Sequence, residues 1–123
     1  MKKLILLCAC AGLLVSCKSF NASVYQAENL AADTAVGGLK IWASYYKQNT
    51  NGAPLPVIAA LDIKANQVNK ASREFGTVLA ITEELRVAYG TNTTVKPMLR
   101  ASVVALENQS SNIVQLVHQF IKF

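Results

Sequence analysis

The sequence predicts an all-α protein: an antiparallel three-helix bundle built from long amphipathic helices. Three observations predict it. Apolar residues recur at steps of three and four through three long segments, two short breaks rich in Pro, Gly and Asn divide those segments, and no stretch shows the strict alternation of a half-buried strand. Short connections place consecutive helices side by side, so each apolar stripe covers the other two.

The first helix is expected from about Ala22 to Gln48. Val24, Ala27, Ala31, Ala35, Gly38, Trp42 and Tyr45 share one stripe, which is small-sided at its middle and admits a close neighbouring backbone. Gly37 and Gly38 together cost up to about 2 kcal/mol of helix propensity, so they mark a kink or a tight crossing. The break Asn49-Thr50-Asn51-Gly52-Ala53-Pro54-Leu55-Pro56 ends this helix through fixed φ, left-handed permissiveness and side chains that compete for backbone groups.

The second helix is expected from about Val57 to Tyr89. Ile58, Leu61, Ala65, Val68, Ser72, Phe75, Leu79 and Thr82 alternate steps of three and four, and Leu85 and Tyr89 continue the stripe after a small phase shift. Pro56 suits a first turn, where its missing N–H has no partner to lose, and Gly90 sits where a left-handed cap belongs. After Gly90-Thr91-Asn92-Thr93-Thr94, Pro97 marks a third start. Leu99, Val103, Leu106, Ser110, Ile113, Val117 and Phe120 then form the stripe of a helix from about Lys96 to Lys122.

The chain begins differently. Lys2 and Lys3 precede an apolar run of 11 residues from Leu4 to Leu14, and Ser16 stands before Cys17. A positive start, a short apolar stretch and a small-residue boundary describe an export signal, and the run falls short of the roughly 20 residues a bilayer span needs. Leu14-Val15-Ser16-Cys17 resembles the lipobox of bacterial lipoprotein precursors. The resemblance covers the first fifth of the chain. It implies cleavage before Cys17, which then carries a thioether diacylglyceryl group and an amide-linked acyl chain. The expected organisation is a signal over 1–16, lipidated Cys17 with a short polar leader over 17–23, and a helical domain over 24–123. Lys18 follows the cysteine. In Gram-negative lipoproteins that resemble this one, a residue other than aspartate there permits sorting to the outer membrane, on its periplasmic side.

The mature chain of 107 residues suits one domain, large enough to bury about 65% of its unfolded surface. Cys8 and Cys10 leave with the signal, so no intramolecular disulfide is available and the fold rests on packing. The net charge of +5 falls to +3, and the cations are scattered without the cluster that grips nucleic acid or anionic lipid. Three Asn-x-Ser/Thr triplets, at Asn21, Asn92 and Asn108, carry no meaning behind a bacterial signal.

No catalytic signature occurs, and no cofactor or metal site is expected. The single histidine, His118, has no second histidine or free cysteine to join, and Glu83-Glu84 is the only adjacent acidic pair. Neighbours on a helix point about 100° apart, so that pair cannot share a substrate and reads as a solvated face. Two surfaces remain. Trp42, Tyr45 and Tyr46, beside Lys40 and Lys47, either close the core or offer a platform to a sugar chain or partner protein. Near the C-terminus, Ile113, Val114, Leu116, Val117, Phe120, Ile121 and Phe123 fill about 180° of the helical wheel, more than one stripe requires. Leu116, Ile121 and Phe123 are thus either core or a surface for self-association, a partner or lipid.

The expectation is a membrane-anchored envelope lipoprotein with a helical binding or scaffolding domain, not an enzyme, held through Cys17 and meeting an envelope protein or a second copy. The alternatives are a phage- or plasmid-encoded exclusion or immunity lipoprotein that blocks a receptor, and, further off, a small envelope enzyme. The murein lipoprotein is also helical, but it is joined to the wall through a C-terminal lysine. Here Phe123 follows Lys122 and proline-rich turns break the helices, so that attachment is not expected.

Overall fold

The computed structural model describes the backbone of residues 2–121 and the side chains of residues 20–121. The signal over 1–16, the Cys17 thiol and Phe123 lie outside the described side chains. Three helices follow one another: α1 (Lys2–Thr50), α2 (Leu55–Tyr89) and α3 (Lys96–Ile121), with a 3₁₀ turn over Thr93–Val95 leading into α3. No strand occurs among the described residues.

The antiparallel order is visible at both ends. Phe20 of α1 meets Tyr89 at the end of α2 edge-on at 5.0 Å, and Lys96 at the start of α3 lies 4.7 Å over the same ring. Toward the other end, Trp42 of α1 lies 5.8 Å from Phe120 of α3, while the Tyr46 hydroxyl donates to Asp62 near the start of α2. The bundle is therefore up-down-up, as the short breaks require.

The expected stripes face inward. Ala31, Ala35 and Trp42 of α1, Leu61, Val68 and Phe75 of α2, and Leu106, Ile113 and Val117 of α3 form one buried cluster. Each large apolar side chain in it contributes roughly 1.5–3 kcal/mol by leaving water. Gly38 explains the small-sided middle of α1. A Cβ placed there would sit 3.4 Å from Ile113 Cγ2 and 3.8 Å from Val114 Cα, so α3 crosses α1 at close range. Gly37 faces open space, which makes its partner the crossing residue.

The turns follow their chemistry with one correction. Gly52 takes φ +72°, the left-handed conformation that ends α1. Pro54, extended at ψ 151°, opens α2, and its carbonyl accepts from Val57 and Ile58 N–H. Gly90, expected in a left-handed cap, instead keeps right-handed values of φ −58° and ψ −28°. The chain leaves α2 by tightening: Gly90 N–H donates to Val87 carbonyl, and Thr91 and Asn92 N–H to Ala88 carbonyl, so the last carbonyls are satisfied without a reversal. Asn92 then caps the 3₁₀ turn by accepting from Thr94 N–H at 3.1 Å. The first helix begins well before the expected Ala22: α1 is helical through residues 18–23, where Phe20 and Asn21 are half-buried and Ala22 and Ser23 exposed.

Candidate functional site

The aromatic group at the end of α1 is assembled by helical spacing. Trp42 ring centroids lie 5.8 Å from Tyr45 and 6.2 Å from Tyr46, with Phe120 closing the opposite side and Lys64 Nζ 5.6 Å over Phe120. Trp42 is only 6% exposed, so its indole belongs mainly to the core, while Tyr45 and Tyr46 are half-buried around it. Between α1 and α2 a cleft of about 550 Å³ opens beside the Trp42 edge, lined also by Tyr46, Asp62, Ala65, Asn66 and Asn69. The Tyr46 hydroxyl hydrogen-bonds the Asp62 carboxylate across its mouth, and that bond holds the phenol above its usual pKa. The cleft thus combines an aromatic wall with a carboxylate and two amides. These groups suit hydrogen-bonding to a polar partner over an apolar floor.

The C-terminal face is placed more plainly. Leu116 and Ile121 are half-buried and pack against the core cluster, and Val114 shows 37% of its surface to solvent. His118 lies exposed on α3. Among the described residues no group of three His, Cys, Asp or Glu side chains is placed to hold a metal ion. No described helix is long and apolar enough to cross a membrane.

The residues that sequence reading missed are Glu28 and Arg86. Glu28 is 3% exposed, inside the bundle. Its carboxylate lies 3.9 Å from Arg86 Nε, and Arg86 Nη2 donates to Glu83 at 2.8 Å while the guanidinium sits 5.2 Å over the Tyr25 ring. Burial first, then the adjacent Glu83 carboxylate, push the Glu28 carboxyl up to about 7 against a smaller pull from Arg86. Glu83 is held below the ordinary carboxylate range, chiefly by its hydrogen bond with Glu28 and then by Arg86. Below about pH 7 Glu28 therefore keeps its proton, while ionised Glu83 pairs with the Arg86 guanidinium. A further polar pair packs nearby in sequence register, the buried Thr82 and Ser102 hydroxyls, which hydrogen-bond each other.

A signal for Glu28 and Arg86 was present. Continued at strict steps of four and three, the α1 stripe reads Val24, Glu28, Ala31, Ala35, Gly38, Trp42, and passes through Glu28 instead of Ala27. The α2 stripe continues from Thr82 to Arg86 and Tyr89 with no phase shift. Opposite charge types at facing seam positions point to the Glu28–Arg86 contact.

The chain matches no protein-family model, no curated protein and no solved structure.

Proposed function

We propose that this chain is a small bacterial envelope lipoprotein, anchored through acyl chains on Cys17, whose helical bundle works by binding a partner and not by catalysis. The observation that carries the reading is the boundary Leu14-Val15-Ser16-Cys17 after two lysines and a short apolar run. Two or three acyl chains, at about 0.8 kcal/mol per buried methylene, anchor a protein stably. Lys18 after the cysteine supports an address at the outer membrane, facing the periplasm. The partner-binding role is supported by the cleft at Trp42 and Tyr46. With α1 continuous, Trp42 stands roughly 40 Å along the helix axis from Cys17.

The test is metabolic labelling with a fatty-acid analogue in a bacterial host. The wild-type chain is expected to take up label and fractionate with the envelope, and Cys17→Ser to do neither. Equal labelling of both chains would remove the anchor, and with it the reading.

A further inference from the structure

The end of the bundle that adjoins Cys17 carries a groove of about 310 Å³ between α1 and α3, lined by Phe20, Ser23, Val24, Arg100, Val103 and Val104. Val24 is its buried floor and Val104, 56% exposed, its rim. The volume is at the small end of the range for ligand sites, and the lining offers almost no hydrogen-bonding group other than Ser23 and Arg100. Such a groove suits a flexible hydrocarbon segment, not a sugar or a nucleotide.

Cations border it. Lys96 Nζ lies 4.7 Å and the Arg100 guanidinium 5.5 Å from the Phe20 ring centroid, and neither pairs with a carboxylate among the described residues. From Leu85 to Leu106 the chain holds Arg86, Lys96 and Arg100 and no acid, and from Cys17 to Ala27 it holds Lys18 and no acid. Among the described ones, only Arg86 is engaged with carboxylates, those of Glu28 and Glu83. This tip of the bundle is therefore basic, although the cations are scattered along the sequence. Folding brings α1 and α3 together and makes a local charge that composition did not reveal. Phe20 follows Cys17 by three residues, a reach of at most about 11 Å even for extended chain. A bilayer that holds Cys17 meets this end first.

We infer that the Phe20–Val104 groove takes one acyl chain of an anionic membrane phospholipid, while Lys96 and Arg100 hold its phosphate head group. The proposal rests on the lipid-anchored reading for bringing this end to a membrane. It adds a second, non-covalent contact that would fix the tilt of the bundle on the surface. Anionic lipid surfaces attract each nearby Lys or Arg enough to matter, and an aromatic ring beside the cations sits naturally at the interface.

The test uses the purified full chain with vesicles containing a phospholipid whose acyl chain carries a diazirine. Vesicles of phosphatidylglycerol are compared with vesicles of phosphatidylcholine bearing the same probe. After irradiation and digestion, label is expected at Phe20–Val24 and Val103–Val104, several-fold stronger with phosphatidylglycerol. Lys96→Gln with Arg100→Gln should lower that label on the order of tenfold. Lys70→Gln with Arg73→Gln, an equal charge change at exposed positions in mid-α2, should leave it unchanged. Label absent from Phe20–Val24 and Val103–Val104, equal label from both lipids, or equal losses in the two double variants would each overturn the proposal. The state of Cys17 is read separately from the mass of its peptide, so a failed anchor and an empty groove give different results.

Discussion

Glu28 occupies a seam position that the register of α1 assigns to an apolar side chain, and it is buried there within reach of Arg86, which pairs with Glu83. The consequence for pH has a definite sign. An unperturbed glutamate titrates near 4.5, whereas Glu28 in the fold titrates near 7. Between those values the folded chain binds the extra proton, so stability falls as pH rises through this window. Glu83, held low, acts oppositely and loses its contribution as pH drops through the carboxylate range. Urea titrations of the wild type should therefore show lower stability at pH 8 than at pH 5.5. Glu28→Gln should flatten that slope and gain about 2–3 kcal/mol at pH 8. A wild type whose stability rises over this interval would show that Glu28 is ionised in the fold. Phe75, 7% exposed in mid-α2, makes the complementary apolar case. Phe75→Ala should cost about 3–5 kcal/mol by the same titration, and a loss below about 1 kcal/mol would mean that its stripe is not the core face.

Among the elements, α1 depends most on its glycines. Gly37 has no neighbour within 4 Å of an added Cβ, so Gly37→Ala should stabilise the bundle by about 0.5–1 kcal/mol through helix propensity alone. Gly38 lies against Ile113 and Val114, so Gly38→Leu should overpack the crossing and cost about 1–3 kcal/mol. Thermal and denaturant midpoints that move together in both variants would contradict this assignment. The helices were legible because their apolar positions repeat over many turns, as from Ile58 to Thr82, where one misplaced residue cannot hide the period. Pro54, Pro56 and Gly52 mark the first turn by steric rules that act locally. The seam charges were less legible. A stripe traced by apolar residue type steps around Glu28 and Arg86, whereas one traced by constant spacing passes through both. Gly90 misleads for another reason: a glycine permits the left-handed cap without requiring it, and Thr91 and Asn92 satisfy the α2 carbonyls in a right-handed exit. The basic tip around Phe20 was not legible at all, because it arises only when residues 20, 96 and 100 meet across helices.

At the scale of the whole molecule, the two ends of the bundle have different chemistry. One end adjoins Cys17 and carries a ring clasped by cations over an apolar groove; the other carries buried Trp42, a tyrosine–aspartate bond and an amide-lined cleft. Packed helices about 50 Å long, the length of α2, separate these two ends. Leu116 and Ile121 pack on the core near the distal end, so what they leave exposed adds to that face without being its main feature. All of this depends on where the molecule is held. The most direct measurement is the intact mass of the protein purified from bacterial envelopes. The account predicts a chain that begins at Cys17, lacks residues 1–16 and carries the added mass of a diacylglyceryl group with or without an amide-linked acyl chain. A mass that retains residues 1–16, or that begins at Cys17 without lipid, would contradict it.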